Sequence, residues 1–363
     1  MPSPARHIEL AAKLLATTIG QCLTTETERL PRSRPTRETT LEFLRMISRR
    51  NHFLALGAAL CGLTAGSYTL AQPARSPRRI SPFAPVQWVT PKVEGTGLSF
   101  RTFRSKAAGT DVSFHIYAPP AYKADPARRL PVVYWLHGSG GGVAGIARLS
   151  ALLDDAIAAG RCPPLFMVFV NGLRMGMYVD WANGQVPLET IIIHELVPHI
   201  DANWPTIGSR DGRLLDGFSM GGYGAGRLGF LYPELFGSVS MMGAGPMQER
   251  LERTPRASGV VAADLLLEVY GGSQERFEAV SPRRYAEQNA EALSRNSRLR
   301  LVIGDQDETY QNNRAFHEHL TRLKIPHDWI VLPGVGHDPI GLLTALGDRH
   351  WGFYREAFAR HGK

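Results

Sequence analysis

The sequence predicts an α/β fold built on a mostly parallel, doubly wound sheet that begins with an antiparallel hairpin. Three observations lead to this prediction. Short apolar runs typical of strands alternate with longer stretches of helical periodicity through the body of the chain. One such strand runs directly into a glycine-rich turn at 217–222, and a helical stretch follows it. Polar residues cluster just after two later strands, where parallel sheets build their sites.

The predicted elements follow one another in the order that such a sheet requires. Leu98–Arg104 and Val112–Tyr117 alternate apolar and polar residues on either side of a short turn, which predicts the hairpin. The elements expected after it are strand 132–136, helix 145–159, strand 165–170, helix 188–203, strand 213–218, helix 222–232, strand 238–242, helices 262–270 and 281–293, strand 301–303, helix 312–324 and strand 330–332.

Composition divides the chain into a leader over 1–72, a linker over 73–92 and one domain over 93–363. Within that domain, the segment 245–297 is too long for a simple connection between strands. We therefore expect extra helices there, or a partial cap over the site.

The leader carries the order of residues that is typical of an export signal. Arg49–Arg50 precedes the apolar run Phe53–Leu63, and small residues lead to a cleavage site after Ala71. This order predicts a periplasmic or secreted protein, exported by a twin-arginine route, with no stable membrane span after cleavage. The stretch before the arginines is long for a signal, so we expect translation to start at Met46. The alternative is that Ile8–Leu23 forms a genuine amphipathic helix.

Charge and cysteine content exclude some functions. The net charge of +8 comes without any long Lys/Arg run in the body, so no nucleic-acid role is expected. Cys22 and Cys61 lie in the leader and only Cys162 lies in the body, so cleavage would leave no internal disulfide. No motif calls for a cofactor.

The sequence Gly217-Phe-Ser-Met-Gly221 predicts a sharp turn that presents Ser219. In a G-x-S-x-G turn, a strand passes directly into a helix and the strained central residue points its hydroxyl outward, so only small residues fit two positions away. Asp216 precedes this turn at the end of a strand. Because a buried unpaired carboxylate is costly, we expect it to have a polar partner.

A nucleophilic serine needs a base, and the base needs an acid to orient it. His337 follows the last predicted strand in a Gly-Val-Gly-His loop, which favours it as the base. The acid lies in the turn after strand 301–303, where Asp305, Asp307 and Glu308 all occur. We favour Asp307 and expect Asp305 to cap the turn. Serine, acid and histidine then occur in an order known for such triads.

Two backbone amides are expected to bind the oxyanion that forms during attack. The first is the amide of Met220, directly after the nucleophile. The second comes from the glycine-rich loop 137–142 that follows strand 132–136, and we nominate Ser139, with Gly140 as the alternative. No Lys-Ser/Thr pair follows this loop, which argues against a phosphate-binding role.

The other histidines are expected to play no part in the site. His194 and His199 flank Glu195, but their i, i+5 spacing and the intervening proline do not fit a zinc motif, so no metal is predicted. His317 and His319 fall in a predicted helix and are expected on its surface.

The loop 173–185 is expected to line a substrate pocket with Met177, Tyr178 and Trp181. Such a pocket would favour esters with an apolar or aromatic part. The alternative is that these side chains belong to packed surface.

The chain resembles the serine esterase family of the α/β-hydrolase fold, which includes feruloyl and acetyl-xylan esterases, S-formylglutathione hydrolase and the mycolyltransferases. The resemblance covers roughly 98–358. Its specific parts are YWLHGSGG, ETIIIHELVPHIDANWPT (189–206), GFSMGGYGA (217–225), GDQDETY (304–310) and GVGHD (334–338).

This resemblance implies an α/β-hydrolase fold and a serine carboxylesterase that needs no cofactor. Ser219, Asp307 and His337 would take the triad roles, and the amides of Ser139 and Met220 the oxyanion roles. The expected partner is a small-molecule or polysaccharide-linked ester, and the oligomeric state stays open. Two alternatives remain at this point: an acyltransferase of the mycolyltransferase type, and a catalytically silent binding protein on the same scaffold.

Overall fold

Eight strands form one mixed sheet in the computed structural model, which describes Phe83 and residues 85–254 and 261–359. The export signal and the predicted start at Met46 lie outside these residues. The strands are β1 (Leu98–Arg104), β2 (Asp111–Tyr117), β3 (Val132–Leu136), β4 (Phe166–Val170), β5 (Arg213–Phe218), β6 (Ser238–Met242), β7 (Arg298–Gly304) and β8 (Asp328–Leu332).

The sheet has the strand order β1-β2-β4-β3-β5-β6-β7-β8. The first two strands pair antiparallel with each other, and β2 pairs antiparallel with β4. Every pair from β4 to β8 is parallel. The predicted parallel sheet with its N-terminal hairpin is therefore confirmed.

Helices and short helical turns connect these strands. In chain order they are α1 (Pro120–Ala124), α2 (Ile146–Ala158), α3 (Leu188–Thr190), a π-helical segment (Ile191–Leu196), α4 (Val197–Asn203), a 3-10 turn (Arg210–Gly212), α5 (Met220–Leu231), α6 (Ala262–Tyr270), α7 (Gln274–Ala279), α8 (Pro282–Gln288), α9 (Ala290–Asn296), α10 (Tyr310–Arg322), α11 (Pro339–Leu346) and α12 (Asp348–Phe358). None of the helices in the described part of the chain combines the length and hydropathy that a bilayer crossing requires.

The central strands are buried along their whole length because helices cover both faces of the sheet. Every residue of β3, β4, β5 and β6 is buried. Alternate residues of one strand face two separate cores: Tyr134 packs into one and Val133 into the other. This explains why β3 and β4 are continuous apolar runs. The carboxyl ends of the parallel strands all lie at one edge, which is where the candidate site forms.

Several helices differ from their predicted bounds. The predicted helix 281–293 is two helices, because Asn289 leaves the helical region with φ −114° and ψ 20° and its side chain donates to the carbonyl oxygen of Phe230 at 2.7 Å. The α5 helix begins at Met220, two residues earlier than expected, and this brings the Met220 amide to its first position. Helices α7, α11 and α12 were not predicted.

The partner expected for Asp216 is found on β7 and α12. Its carboxylate accepts a hydrogen bond from the Tyr354 hydroxyl at 2.8 Å and lies 3.5 Å from Nη2 of Arg300. The Arg300 guanidinium also donates to Ser240 on β6 at 2.8 Å. Burial raises the pKa of Asp216, and the positive charge of Arg300 opposes that shift.

The described part of the predicted linker, residues 85–92, hydrogen-bonds to the body. Asn171 donates to the carbonyl oxygens of Gln87 and Trp88, and the Ser113 amide of β2 also donates to Trp88. The Thr90 amide in turn donates to the Ser113 hydroxyl. These contacts fix residues 87–90 along the edge of the hairpin.

Candidate active site

Ser219 lies at the junction of β5 and α5 in a strained backbone conformation, with φ 58° and ψ −120°. For a residue other than glycine this conformation costs about 1–3 kcal/mol. The neighbouring glycines permit it. A Cβ atom at Gly217 would overlap the carbonyl oxygen of Gly221, and one at Gly221 would overlap that of Leu136. The turn therefore has the geometry that the G-x-S-x-G pattern predicts, and it leaves Ser219 partly exposed.

His337 reaches Ser219 from the loop after β8. Its Nε2 atom lies 2.9 Å from Ser219 Oγ, and its ring packs against the ring of Phe218 with centroids 4.7 Å apart. The two residues are 118 positions apart in the sequence, so only the parallel arrangement of β5 and β8 brings them together. The distance is that of a hydrogen bond between a hydroxyl and a base.

Asp307 lies behind His337, in the turn after β7. One carboxylate oxygen accepts a hydrogen bond from His337 Nδ1 at 2.7 Å, and the other accepts from the amide and hydroxyl of Thr309 at 2.7 and 2.8 Å. Burial by itself would raise the pKa of Asp307, but these hydrogen bonds outweigh it and hold the pKa below its usual value. The ionised carboxylate keeps the proton on Nδ1 and leaves Nε2 free to accept from Ser219.

Asp305, the alternative acid, has other hydrogen-bond partners. Its exposed side chain accepts a hydrogen bond from the amide of Gly334 at 2.8 Å, which ties its turn to the loop after β8. The structure therefore brings Asp307, and not Asp305, against the histidine.

The two nominated oxyanion donors flank Ser219. Ser139 and Met220 both border the cavity at the serine. The Met220 amide is at the first position of α5, where no intrahelical acceptor exists. The alternative donor, the Gly140 amide, is occupied because it donates to the carbonyl oxygen of Arg174 at 2.9 Å. This geometry favours Ser139 over Gly140.

His137 shapes the glycine-rich loop, a role that the sequence alone did not reveal. Its Nδ1 donates to the carbonyl oxygen of Gly138 at 2.6 Å, and its Nε2 accepts from the amide of Gly172 at 3.0 Å. Burial lowers the pKa of His137 to about 4, so the ring is neutral at neutral pH. One nitrogen donates and the other accepts, which only the neutral ring allows. In the sequence, His137 lies between a buried strand and a run of glycines, and this position was the signal that could have indicated its role.

A cavity of about 50 Å³ opens at Ser219. Most of its surface is apolar because methionine, leucine and proline side chains form the walls. Its lining residues are Ser139, Met175, Met177, Ser219, Met220, Gly245, Pro246, Gln248, Thr254, Leu265, Thr309 and His337. Five of them, from Gly245 to Leu265, belong to the long segment after β6, so this segment borders the site.

Of the three predicted pocket residues, only Met177 lines this cavity. Tyr178 and Trp181 do not, because both are buried in the core and their polar atoms are occupied. The Tyr178 hydroxyl donates to the carbonyl oxygen of His137 at 2.8 Å, and the Trp181 indole donates to that of Gly176 at 3.3 Å. Trp181 borders a separate, smaller cavity that also includes Met175. The order of apolar and polar residues in the loop 173–185 could not show which side chains point toward the cavity.

The apparent metal motif around Glu195 has a packing role. Glu195 accepts hydrogen bonds from the Ser105 hydroxyl at 2.5 Å and from the amides of Lys106 and Ala107 at 3.0 Å, which anchors the turn of the hairpin. His199 stacks on Phe103 with ring centroids 5.1 Å apart.

A second group of potential ligands, Asp307, Glu308 and His337, has its ligand atoms within 4.8 Å of one another. In this group Asp307 and His337 already bind each other. The expectation for His319 was wrong. This residue is buried, stacked on Phe316 and directed at the carbonyl oxygen of Arg283, 3.4 Å from its Nε2.

Comparison with known proteins places the chain among esterases. A family model described as "Putative esterase" matches residues 105–360, more than two thirds of the sequence. A protein of Mycobacterium tuberculosis named esterase Rv1288 is 28% identical over 265 residues, which cover 66% of this chain and 55% of the relative. The chain thus spans about half the length of the curated relatives it matches.

Solved structures show the same architecture. A ferulic acid esterase superposes with a TM-score of 0.61 at 23% identity and covers 72% of this chain and 98% of its own. An S-formylglutathione hydrolase from Staphylococcus aureus gives a TM-score of 0.57 at 18% identity, with 71% and 98% covered. The fold is that of the α/β-hydrolases, and the chain belongs to the esterase family.

Proposed function

We propose that this member of the esterase family is a serine carboxylic ester hydrolase that works through an acyl-enzyme intermediate. The observation that best supports this function is the chain of contacts from Ser219 Oγ to His337 Nε2 at 2.9 Å and from His337 Nδ1 to Asp307 at 2.7 Å. A serine hydroxyl becomes nucleophilic when a neighbouring base takes its proton, and a carboxylate keeps that base in the right tautomer. Family membership and the apolar cavity at Ser219 support an ester as the substrate.

In the first step, Ser219 Oγ attacks the carbonyl carbon of the ester while its proton moves to His337 Nε2. The carbonyl oxygen becomes an oxyanion, which the amides of Ser139 and Met220 bind. Each such donor contributes roughly 10²–10³ in rate. As the tetrahedral intermediate collapses, the bond to the alcohol oxygen breaks and His337 Nε2 gives its proton to that oxygen. The alcohol departs and the acyl group remains on Ser219.

In the second step, water repeats the sequence. His337 Nε2 takes a proton from the water as its oxygen attacks the acyl carbon, and the same amides bind the new oxyanion. Collapse breaks the bond to Ser219 Oγ, which recovers its proton from His337. Asp307 stays ionised throughout and stabilises the imidazolium that forms twice.

The cavity supports a preference for esters with an apolar acyl group. Met175, Met177 and Leu265 contribute its walls, and each is almost completely buried. Apolar walls favour an acyl group by roughly 0.8 kcal/mol for each methylene that they remove from water. A small-molecule ester and an ester on a polysaccharide are both compatible with this arrangement, because the cavity is partly open to solvent.

The proposed function is tested by labelling with a fluorophosphonate, which reacts with activated serines. We expect one equivalent of label on Ser219, identified by peptide mass spectrometry, and none in Ser219→Ala. The same protein unfolded in urea serves as the control, since the unfolded chain has no activated serine. Labelling of folded wild-type protein at another serine, or its absence, would contradict the proposal.

Ester hydrolysis and acyl transfer share the nucleophilic half of this mechanism. We propose water as the acceptor because the family model that matches the chain is that of an esterase. Product analysis in the presence of glycerol or trehalose tests this choice. Free acid as the main product supports hydrolysis, whereas a dominant acylated alcohol would favour the transferase.

We also propose that the chain is exported, on the strength of Arg49–Arg50 and the apolar run Phe53–Leu63. In this proposal, residues 1–72 are a leader and 93–363 the catalytic domain. Intact-mass analysis of the native protein tests it. A mature chain that begins near Gln72 is expected, and one that begins before Ser48 would contradict export.

A further inference from the structure

Three successive peptide planes around Ser139 are each held by a separate hydrogen bond. Because the peptide group is planar and trans, fixing a carbonyl oxygen also fixes the direction of the following N–H. The His137 carbonyl accepts from the Tyr178 hydroxyl at 2.8 Å, and the Gly138 carbonyl accepts from the His137 ring at 2.6 Å. The Gly140 amide donates to Arg174 at 2.9 Å. The middle plane carries the Ser139 N–H.

These bonds are needed because the loop has little stiffness of its own. Its glycines have no Cβ atom to restrict rotation, and Gly140 already has φ 99°. Without an external partner, the planes on either side of Ser139 would be free to turn. Tyr178 provides such a partner for the first plane, and it comes from a different segment of the chain.

Tyr178 is itself held on several sides. A Cβ atom at Gly172 would overlap its hydroxyl, and one at Gly224 of α5 would overlap its ring, so both glycines leave space for it. Its own carbonyl oxygen accepts from Nη1 of Arg227 at 2.9 Å, and Arg227 forms a buried ion pair with Glu189. The side chain is therefore a fixed link between α5, which carries the Met220 amide, and the loop that carries the Ser139 amide.

The backbone at this link is strained. Met177 and Tyr178 both have φ 54°, a region that residues other than glycine rarely adopt. Such conformations persist where the surrounding contacts over-determine them, and they are concentrated at functional sites. Here the strained pair places Met177 against the cavity and Tyr178 beneath the loop.

We propose that Tyr178 is a positioning residue for the oxyanion-binding amide of Ser139. This inference rests on the proposed esterase function. The Tyr178 hydroxyl fixes the His137 carbonyl, and with it the orientation of the loop 137–140 relative to Ser219. The hydroxyl touches neither substrate nor Ser219, so it acts only through the loop.

The test replaces Tyr178 by Phe, which removes only the hydroxyl. Tyr117→Phe is the matched control, because Tyr117 is also a buried tyrosine and its hydroxyl donates to Asp154 at 2.5 Å, outside the proposed site. With a soluble aryl ester, we expect kcat of Tyr178→Phe to fall about 10- to 100-fold with KM within about threefold, since a displaced oxyanion donor weakens the transition state more than the bound substrate. Tyr117→Phe should keep the wild-type kcat.

A second readout separates positioning from a general loss of structure. An aryl trifluoromethyl ketone forms a tetrahedral adduct whose oxyanion would occupy the same site. In Tyr178→Phe, the inhibition constant of this ketone should rise by the same factor by which kcat/KM falls. In Tyr117→Phe, the inhibition constant should stay at the wild-type value. If Tyr178→Phe does not fold, Gly172→Ala, which displaces the hydroxyl without removing it, is expected to give the same pattern.

A kcat within about twofold of wild type in Tyr178→Phe overturns the inference while the esterase function stands. Equal losses in both tyrosine variants, or a change in KM alone, also overturn it. A wild-type protein that hydrolyses no ester and takes no fluorophosphonate overturns the proposed function, and this inference with it.

Discussion

Asp307 and His337 share a 2.7 Å hydrogen bond between side chains that are 0% and 7% exposed. Water is thus excluded from the contact that fixes the tautomer of the histidine. The second carboxylate oxygen is bound by Thr309, so Asp307 has little freedom to rotate away. The orientation of the base depends on this one buried carboxylate, which makes it the most informative side chain to change.

Asp307→Asn should lower kcat by about 10⁴-fold with KM little changed, because the amide no longer holds the histidine in the tautomer that accepts from Ser219. Asp305→Asn is the control, since Asp305 lies in the same turn but its side chain accepts from the Gly334 amide and the Gln306 side chain instead of from His337. Steady-state kinetics on one ester decides the matter. A larger loss in Asp305→Asn would reassign the acid.

Leu265→Ala should widen the cavity and shift preference toward longer acyl chains. The gain in kcat/KM for a butyrate over an acetate ester is expected to be up to about fourfold per added methylene, from roughly 0.8 kcal/mol of burial each. Leu267→Ala is the control on the same helix, because Leu265 is 1% exposed and lines the cavity whereas Leu267 is 62% exposed. An unchanged ratio in Leu265→Ala would place the acyl group elsewhere.

Arg300→Leu should destabilise the protein by about 3–5 kcal/mol, because it leaves the Asp216 carboxylate buried without a counter-charge. Asp216 and Arg300 are both almost fully buried. The double replacement of both residues by Leu should be less harmful than Arg300→Leu alone. For comparison, Arg295→Leu breaks an exposed pair with Glu291 and should change stability by less than about 1 kcal/mol. Urea unfolding at neutral pH measures all four proteins.

Acid should destabilise the protein in part through His137. Burial lowers the pKa of His137 to about 4 from the usual 6.5, so between these values the unfolded chain binds a proton that the folded chain does not. Stability is therefore lost as pH falls through 6.5 toward 4, at about 1.4 kcal/mol per pH unit from this group. Above pH 6.5 both states are neutral and the contribution is constant.

His137→Gln should weaken this dependence, because its side-chain oxygen can still accept from the Gly172 amide but does not titrate. The measurement is the difference in unfolding free energy between pH 8 and pH 5. His194→Gln is the control, since His194 is exposed. Equal losses in the wild type and His137→Gln would show that other groups carry the acid sensitivity.

Most of the fold was accessible to sequence reasoning because local patterns dictated it. The bounds of β1, β3, β5, β6 and α6 match their predictions, since each is an apolar or periodic run ended by glycine, proline or polar residues. The prediction of one helix over 281–293 failed because the Asn289 side chain donates to a carbonyl oxygen of α5, a contact that the local pattern could not show. The prediction for His319 failed for the same reason, since this side chain is directed at the carbonyl oxygen of Arg283 on α8.

The sequence by itself determined the strained serine turn, because only glycine at 217 and 221 allows the backbone segments of that turn to approach each other closely. It also confined the acid and the base to two turns at strand ends. Only the tertiary structure decided which acidic side chain meets the imidazole, which donor of the glycine-rich loop is free, and that Tyr178 lies beneath that loop and not in the pocket. The physical reason is that hydrogen bonds of under 3 Å depend on side-chain directions set by long-range packing. Neither the order of residues nor their periodicity encodes those directions locally.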